Sequence, residues 1–213
     1  VNKGVTREEI TGLTGIASSG DLTRKLSELE KCGFIRKYVP YGYKHKKCMY
    51  QLIDNFTLFY YKFMKNNIQN ENFWKEQSNS SQVRAWSGIA FERVCLEHIS
   101  QIKAALGIAG VYTEINSWQC CKDEENGILG SQIDLLIVRK DQVINVCEMK
   151  YSETDFVIDA KFDKAQKRKI SDFIKKTGTK YAIHSTLITT YGVENNAYSG
   201  EIQSIITSDD LFG

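Results

Sequence analysis

Asp134 stands near the start of the apolar run Ile133-Asp134-Leu135-Leu136-Ile137-Val138. An acid in such a strand is costly unless a cation, a partner or water meets it. A second apolar run ends Val146-Cys147-Glu148-Met149-Lys150. Strand side chains alternate, so Glu148 and Lys150 project from one face and Met149 from the other. If the tight turn Arg139-Lys140-Asp141-Gln142 joins the two strands, Asp134 falls opposite Cys147, one step from Glu148. A bulge or strand twist could then bring the two carboxylates together. Two acids and a lysine gathered in this way could grip a cation beside an anionic substrate. Taken singly, the same residues also read as structural, Asp134 as an edge-strand charge and Glu148 with Lys150 as a surface pair.

Other chemistries find less support. His45, His98 and His184 do not form a catalytic set, and the chain carries no Ser or Cys nucleophile motif and no Gly-rich phosphate loop. Cys32, Cys48, Cys95, Cys120, Cys121 and Cys147 include no C-x-x-C pair and no histidine at ligand spacing, so reduced, mostly buried thiols are expected.

The elements that must position these residues follow from periodicity and caps. Val83, Trp86, Ala90, Val94 and Ile102 describe one long amphipathic helix over Val83 to Leu106. Four strands are expected after it, Gly110 to Gln119, Gln132 to Val138, Val143 to Lys150 and Lys180 to Ile188, with a helix over Ala160 to Thr177 before the last. Helix, three strands, helix, strand is a mixed α/β order, not an alternating doubly wound one. The first segment reads as three short helices and a hairpin. Thr6 and Glu9 have capping-box spacing, and Asp21 can cap a helix over Leu22 to Cys32. Tyr38 to Tyr41 and Cys48 to Leu52 read as the hairpin strands, with Gly42 to Lys47 at the tip. Phe56, Phe59, Tyr60, Tyr61 and Phe63 crowd at helical spacing without interleaved basic residues, which suggests packing between domains, not base stacking. Residues 1–55, 56–82 and 83–213 are therefore expected to form a small domain, a helical and polar connection, and a larger domain.

Two resemblances add to this. Helix, turn, helix and a hairpin tipped with Lys44, His45, Lys46 and Lys47 resembles a winged helix-turn-helix domain, which would lay its capped helix in a major groove and reach phosphates with the tip. Asp, then Glu-x-Lys on the next strand, resembles the PD-(D/E)XK nuclease superfamily over residues 83–190, and implies a restriction-endonuclease-like αβββαβ core. Carried over, Asp134 and Glu148 become ligands of Mg²⁺ or Mn²⁺, the Met149 carbonyl a further ligand, and Lys150 the group that orients a water or stabilises developing charge. Gly88-Ile89-Ala90-Phe91-Glu92 resembles the Gly-x-x-Phe-Glu segment of these nucleases, with Glu92 reaching the metal directly or through water. Gln166 matches the glutamine that many members carry on the following helix. Lys161, Lys164, Lys167, Arg168 and Lys169 on that helix are expected to contact phosphates. Ser131-Gln132-Ile133 stands before Asp134 where the superfamily name would put proline.

The whole order, with Tyr50-Gln51-Leu52-Ile53-Asp54-Asn55-Phe56 between the two parts, resembles the C-terminal region of archaeal-type AAA/STAND ATPases with a DUF234-like tail. That resemblance implies a P-loop ATPase domain in cis, with ATP bound only there, and the opening Val1 fits a chain taken from something longer. Whether such tails cut DNA or only bind it does not follow from family membership.

Composition agrees with a globular protein: 213 residues, 42% hydrophobic and 25% charged. No apolar run is long enough to cross a membrane, so no membrane partner and a cytoplasmic location are expected. The net charge of +2 is uneven. Residues 1–52 hold ten Lys/Arg against five Asp/Glu, while residues 53–213 hold eighteen against twenty-one. A basic first module points to DNA as the expected partner, with oligomeric state left open.

Overall fold

The computed structural model describes residues 4–43, 48–65, 70, 72–125 and 127–213. Val1–Arg93 and Val94–Gly213 form two compact units.

In the first unit β1 (Val5–Thr6) leads directly into α1 (Arg7–Thr14). Thr6 and Glu9 make the expected capping box, and Gly15 ends the helix in the left-handed region at φ 69°. α2 spans Gly20–Lys31, starting two residues and ending one residue earlier than expected. Ser19, not Asp21, is its cap, because Asp21 is drawn into ion pairs with Arg24 and Lys25. Only these two helices precede the hairpin among the described residues, not three. The hairpin strands are β2 (Ile35–Tyr38) and β3 (Met49–Leu52), so the first begins three residues before the expected Tyr38. Alternation of Ile35, Lys37 and their neighbours against β3 fixes that register, Ile35 pairing with Leu52 and Tyr38 with Met49. β1 joins on the other side of β3, giving an antiparallel three-stranded sheet in the order β1-β3-β2. The expected hairpin tip at Lys44, His45, Lys46 and Lys47 lies outside the described residues.

α3 (Asn55–Phe59), capped by Asp54, runs on into a π-helical turn at Tyr60–Met64. α4 (Phe73–Gln77) and α5 (Ser81–Glu97) follow. Phe59 packs on Phe63, Trp74 and Trp86 with ring centroids 5.2 to 5.3 Å apart. All four rings belong to the first unit, so Phe59 and Phe63 of the aromatic run pack within that unit, whereas Phe56 and Tyr61 are exposed. Arg93 is 2% exposed and donates to the Leu52 and Ile89 carbonyls at 3.2 and 3.1 Å.

The single long helix expected from Val83 to Leu106 is two, α5 and α6 (Ile99–Ala105). His98 leaves helical geometry at φ −107°, ψ 33° between them. Its ring nitrogen Nδ1 lies 2.7 Å from the Val94 carbonyl, and its ring packs edge-on against Phe212. These contacts reward the break that apolar periodicity alone does not reveal.

The second unit is built on a five-stranded mixed sheet in the order β4-β5-β6-β7-β8. β4 (Thr113–Cys120), β5 (Ser131–Arg139) and β6 (Val143–Lys150) are an antiparallel meander. α7 (Ala160–Thr177) then carries the chain across to β7 (Ala182–Thr189), which pairs parallel with β6. A short β8 (Ser204–Ile206), parallel to β7, and α8 (Ser208–Phe212) close the chain, and neither is foreshadowed by a strong sequence pattern. α7 has sharp ends: Asp159 accepts from the Phe162 amide at its start, and Gly178 takes the left-handed φ of 63° at its end.

Ile133, Leu135, Leu136 and Ile137 are all fully buried, as are Ile144 and Leu187. Neighbouring residues on one strand point to opposite faces, so the centre of the sheet is covered on both. That is why β5 and β6 read as near-continuous apolar runs. Each such side chain contributes roughly 1.5–3 kcal/mol by leaving water. Within this interior a charged side chain stands out.

Candidate functional site

Glu148 is a charged residue set among the apolar strands of the sheet. It lies next to the end of β6, its side chain 15% exposed. Lys150 Nζ, two residues on and on the same face, lies 2.8 Å from Glu148 Oε1. Lys169 Nζ, reaching in from α7, donates to Oε2. Each carboxylate oxygen thus faces its own ammonium group. Burial opposes ionisation of Glu148, but the charges of Lys169 and Lys150 outweigh it and hold the carboxyl below the usual glutamate range. Lys150 also lies 6.0 Å from the centre of the Phe162 ring in the first turn of α7.

α7 is fixed against this face of the sheet by two further contacts. Ser131 Oγ, at the start of β5, donates to the buried Asp172 carboxylate at 2.7 Å. Trp118 on β4 meets Phe173 edge-to-face at 5.2 Å. Gln166 and Lys169 are three apart on the helix and therefore share its inner side. Gln166 is 5% exposed, and its amide nitrogen Nε2 has no hydrogen-bond partner among the described residues. A buried donor left in that state is destabilising by about 1–3 kcal/mol unless something else accepts from it.

Asp134 sits at an irregularity. The pairing of β4 with β5 shifts between Asn116–Leu136 and Trp118–Ile133, so Ser117 alone opposes Asp134 and Leu135. This is a bulge on β5, a device that changes where a side chain points. On the other edge Leu135 pairs with Cys147. The expected facing of Asp134 and Cys147 is therefore one residue out. The turn is longer than assumed, with five residues between the pair Val138–Ile144 and Gln142 at a left-handed φ of 66°. Carried one step further, the observed register sets Asp134 opposite Glu148, although the ladder ends at Leu135–Cys147. Counted from the β4 side of the bulge, Asp134 instead shares a face with Gln132, and Gln132 Nε2 donates to Asp134 Oδ1. The side chain follows the second count.

The structure brings together Glu148, Lys150 and Lys169, with Gln166 on the adjoining helix turn. It does not join Asp134 to them by a hydrogen bond or ion pair. Met149 occupies the alternate position on β6, its side chain buried. Glu92 is on α5 in the first unit, beside Arg93, whose burial pulls its guanidinium below the ordinary value against the opposing influence of Glu92. The basic stretch of α7 divides: Lys169 turns inward, whereas Lys164, Lys167 and Arg168 are exposed. Lys167 pairs with Asp163 at 3.1 Å and with Glu201 at 3.6 Å. The role of Lys169 as a partner of Glu148 was missed in the sequence. Its spacing of three from Gln166 was the available signal.

Among the described residues, no group of three His, Cys, Asp or Glu side chains is close enough to hold a metal ion. None of the six cysteines is in a disulfide. Burial pushes the thiol of Cys147 far up, with the neighbouring Cys95 acting in the same direction, so Cys147 is not poised as a nucleophile. At Glu148 a single carboxylate faces two ammonium groups, so the cluster is net positive. It offers a divalent cation no carboxylate oxygen that is not already paired, and the other acid of the expected pair, Asp134, lies on the neighbouring strand. No helix among the described residues is long and apolar enough to cross a membrane.

Comparison with protein-family models, with curated proteins and with solved structures finds no match to this chain.

Proposed function

We propose that the chain is a DNA-associated module in which a winged helix precedes a restriction-endonuclease-like core with a Mg²⁺-dependent phosphodiesterase site. The observation that carries this reading is the cluster at the end of β6, where Lys150 and Lys169 hold Glu148 ionised beside the unpartnered amide of Gln166. Support also comes from the order helix, three antiparallel strands, helix, parallel strand in the second unit. The order β1-β3-β2 around α1 and α2 supports the winged helix.

In this reading Glu148 and Asp134 would hold Mg²⁺ or Mn²⁺, with the Met149 carbonyl as a further donor, and the chemistry supplied would be polarisation of the scissile phosphate. Lys150 stabilises the negative charge that grows on the phosphate oxygens, and Gln166 donates its free amide hydrogen to one of them. Asp134 would first have to leave Gln132 and turn towards the Glu148 side of the sheet. The resemblance through Tyr50 to Phe56 further suggests that the module works with a P-loop ATPase domain in the same polypeptide.

Nicking of supercoiled plasmid tests this directly. Cleavage should require Mg²⁺ or Mn²⁺ and vanish in Asp134→Ala and in Lys150→Ala. Metal-independent cleavage, or full activity in both variants, removes the hydrolytic reading.

One observation favours a second reading, a module that binds DNA or a partner for an ATPase without cutting. Asp134 is engaged by Gln132, and two lysines against one glutamate leave the cluster positive in the absence of any metal. This reading expects salt-sensitive DNA binding with no cleavage, weakened by the triple change of Lys44, Lys46 and Lys47 to Ala.

A further inference from the structure

We infer that the carboxyl end of β6 is an oxyanion site that needs no metal ion and takes a terminal phosphate group, from a phosphate monoester or from free phosphate, between Lys150 and Gln166. The inference goes beyond the reading above and stands without it, since it requires neither a bound cation nor a cut strand.

Lys150 and Lys169 share the single carboxylate of Glu148, which leaves one positive charge over. In a partly shielded place that surplus attracts an anion more strongly than it would in open water. Gln166 adds a donor. Phe162, in the first turn of α7, lies by Lys150, and Lys169, near the middle of the helix, lies by Glu148. Positions 162, 166 and 169 share one side of a helix, so the Gln166 amide stands between those two contacts. It is buried and without a partner among the described residues. A second such group, the buried hydroxyl of Ser152, follows two residues after Lys150, where the Ser152 amide donates to Thr190 Oγ1 just beyond β7. The carboxyl ends of neighbouring parallel strands, here β6 and β7, are where open α/β sheets bind ligands. An ammonium group, a free amide N–H and a hydroxyl together suit phosphate oxygens.

The two lysines differ in freedom, the side chain of Lys150 being 37% exposed and that of Lys169 20%. Lys150 is therefore the one that turns onto an entering anion, while Lys169 keeps the carboxylate paired. The same burial sets the shape of the ligand. The Gln166 amide lies below the surface behind a partly open lysine, so a phosphate reaches it only end-first. A terminal phosphate can enter in that way, whereas a phosphodiester is flanked on both sides. A monoester also carries about two negative charges near neutrality, against about one for a diester.

Phosphorus NMR titration of the full chain, with EDTA present, tests this with inorganic phosphate, thymidine 5′-monophosphate and a dithymidine dinucleotide whose only phosphate is a diester. The first two should bind, and the diester should bind at least about tenfold more weakly. Tighter binding of the monoester marks a nucleotide end as the source, and tighter binding of inorganic phosphate marks the free ion; either upholds the site. Lys150→Met should lower affinity about tenfold, through loss of a charge-assisted hydrogen bond. Gln166→Leu should lower it about threefold to tenfold, yet melt no lower than the wild type, because an unpaired buried donor is removed. A purely structural role for Gln166 would lower stability and affinity together. Lys175→Met removes an exposed charge from the last turn of α7 and should change affinity by less than about twofold. Equal binding of monoester and diester overturns the end-first site. So does absence of phosphate binding, or unchanged affinity in both Lys150→Met and Gln166→Leu. None of these outcomes decides metal-dependent nicking, which stands or fails in the plasmid assay.

Discussion

Lys169 on α7 and Glu148 on β6, twenty-one residues apart in sequence, meet in a direct ion pair on one face of the sheet. With Lys150 on the other oxygen, this contact keeps a mostly shielded carboxylate charged. It also links the helix after the Glu-x-Lys strand to the strand itself, so the ionic cluster ties α7 to the sheet.

The pH dependence follows from the sign of that shift. A carboxyl held below its ordinary value stabilises the fold fully above the unfolded value and loses that stabilisation as pH falls through the folded one. Glu148→Gln should therefore be less stable than the wild type near neutrality, by about 1–3 kcal/mol for a partly shielded pair. The difference should shrink as pH drops below the usual glutamate range. Thermal melts of both proteins across that range provide the check, and a gap that stays constant would show that the charge of Glu148 is not the cause.

Ser131 is expected to position α7. Its hydroxyl donates to Asp172, which is 3% exposed, and removal of that donor leaves a buried carboxylate short of a partner. Ser131→Ala should cost about 1–3 kcal/mol in urea unfolding. Ser131→Thr, which restores a hydroxyl, should recover part of the loss.

Much of the second unit was readable in its sequence, for identifiable reasons. β6 and α7 match the expected spans residue for residue, because Asp159 and Gly178 cap the helix clearly and Val143 to Lys150 is a compact apolar run. The Glu148–Lys150 pairing follows from strand alternation. The bulge at Asp134 was open as an option, but not its consequence, because a hydrogen bond from Gln132 decides which way the side chain turns. The register was missed by one residue because Gln142 takes a left-handed conformation that no glycine advertises. His98 broke a helix through long-range contacts with Phe212, which periodicity cannot contain. The inward turn of Lys169 was hidden in a basic stretch whose other members face outward.

In the first unit the buried Arg93 guanidinium serves as a tie between α5 and the end of β3. Arg93→Ala should destabilise by about 2–4 kcal/mol, since two carbonyls lose donors and a large side-chain volume is emptied. Chemical denaturation followed by tryptophan fluorescence suits this test because Trp74 and Trp86 lie in the same unit. A loss below about 0.5 kcal/mol, the size of an ordinary surface change, would contradict the buried role.

Lys164, Lys167 and Arg168 face solvent, so their contribution should be electrostatic and uniform across DNA sequences. The triple alanine variant should weaken duplex binding and flatten the dependence of log K on log salt by up to about 0.9 for each lost phosphate contact. Fluorescence anisotropy over a salt series reads both. An unchanged slope would place DNA elsewhere on the molecule.

The most direct measurement is a crystal structure of the chain soaked in Mn²⁺, with anomalous scattering recorded to locate the ion. One peak should appear within about 2.1–2.3 Å of a Glu148 oxygen, with Asp134 turned from Gln132 towards it and one of the two lysines withdrawn. An ordered ion elsewhere with both lysines still on Glu148, or no peak at saturating Mn²⁺, would contradict a metal-dependent site at the end of β6.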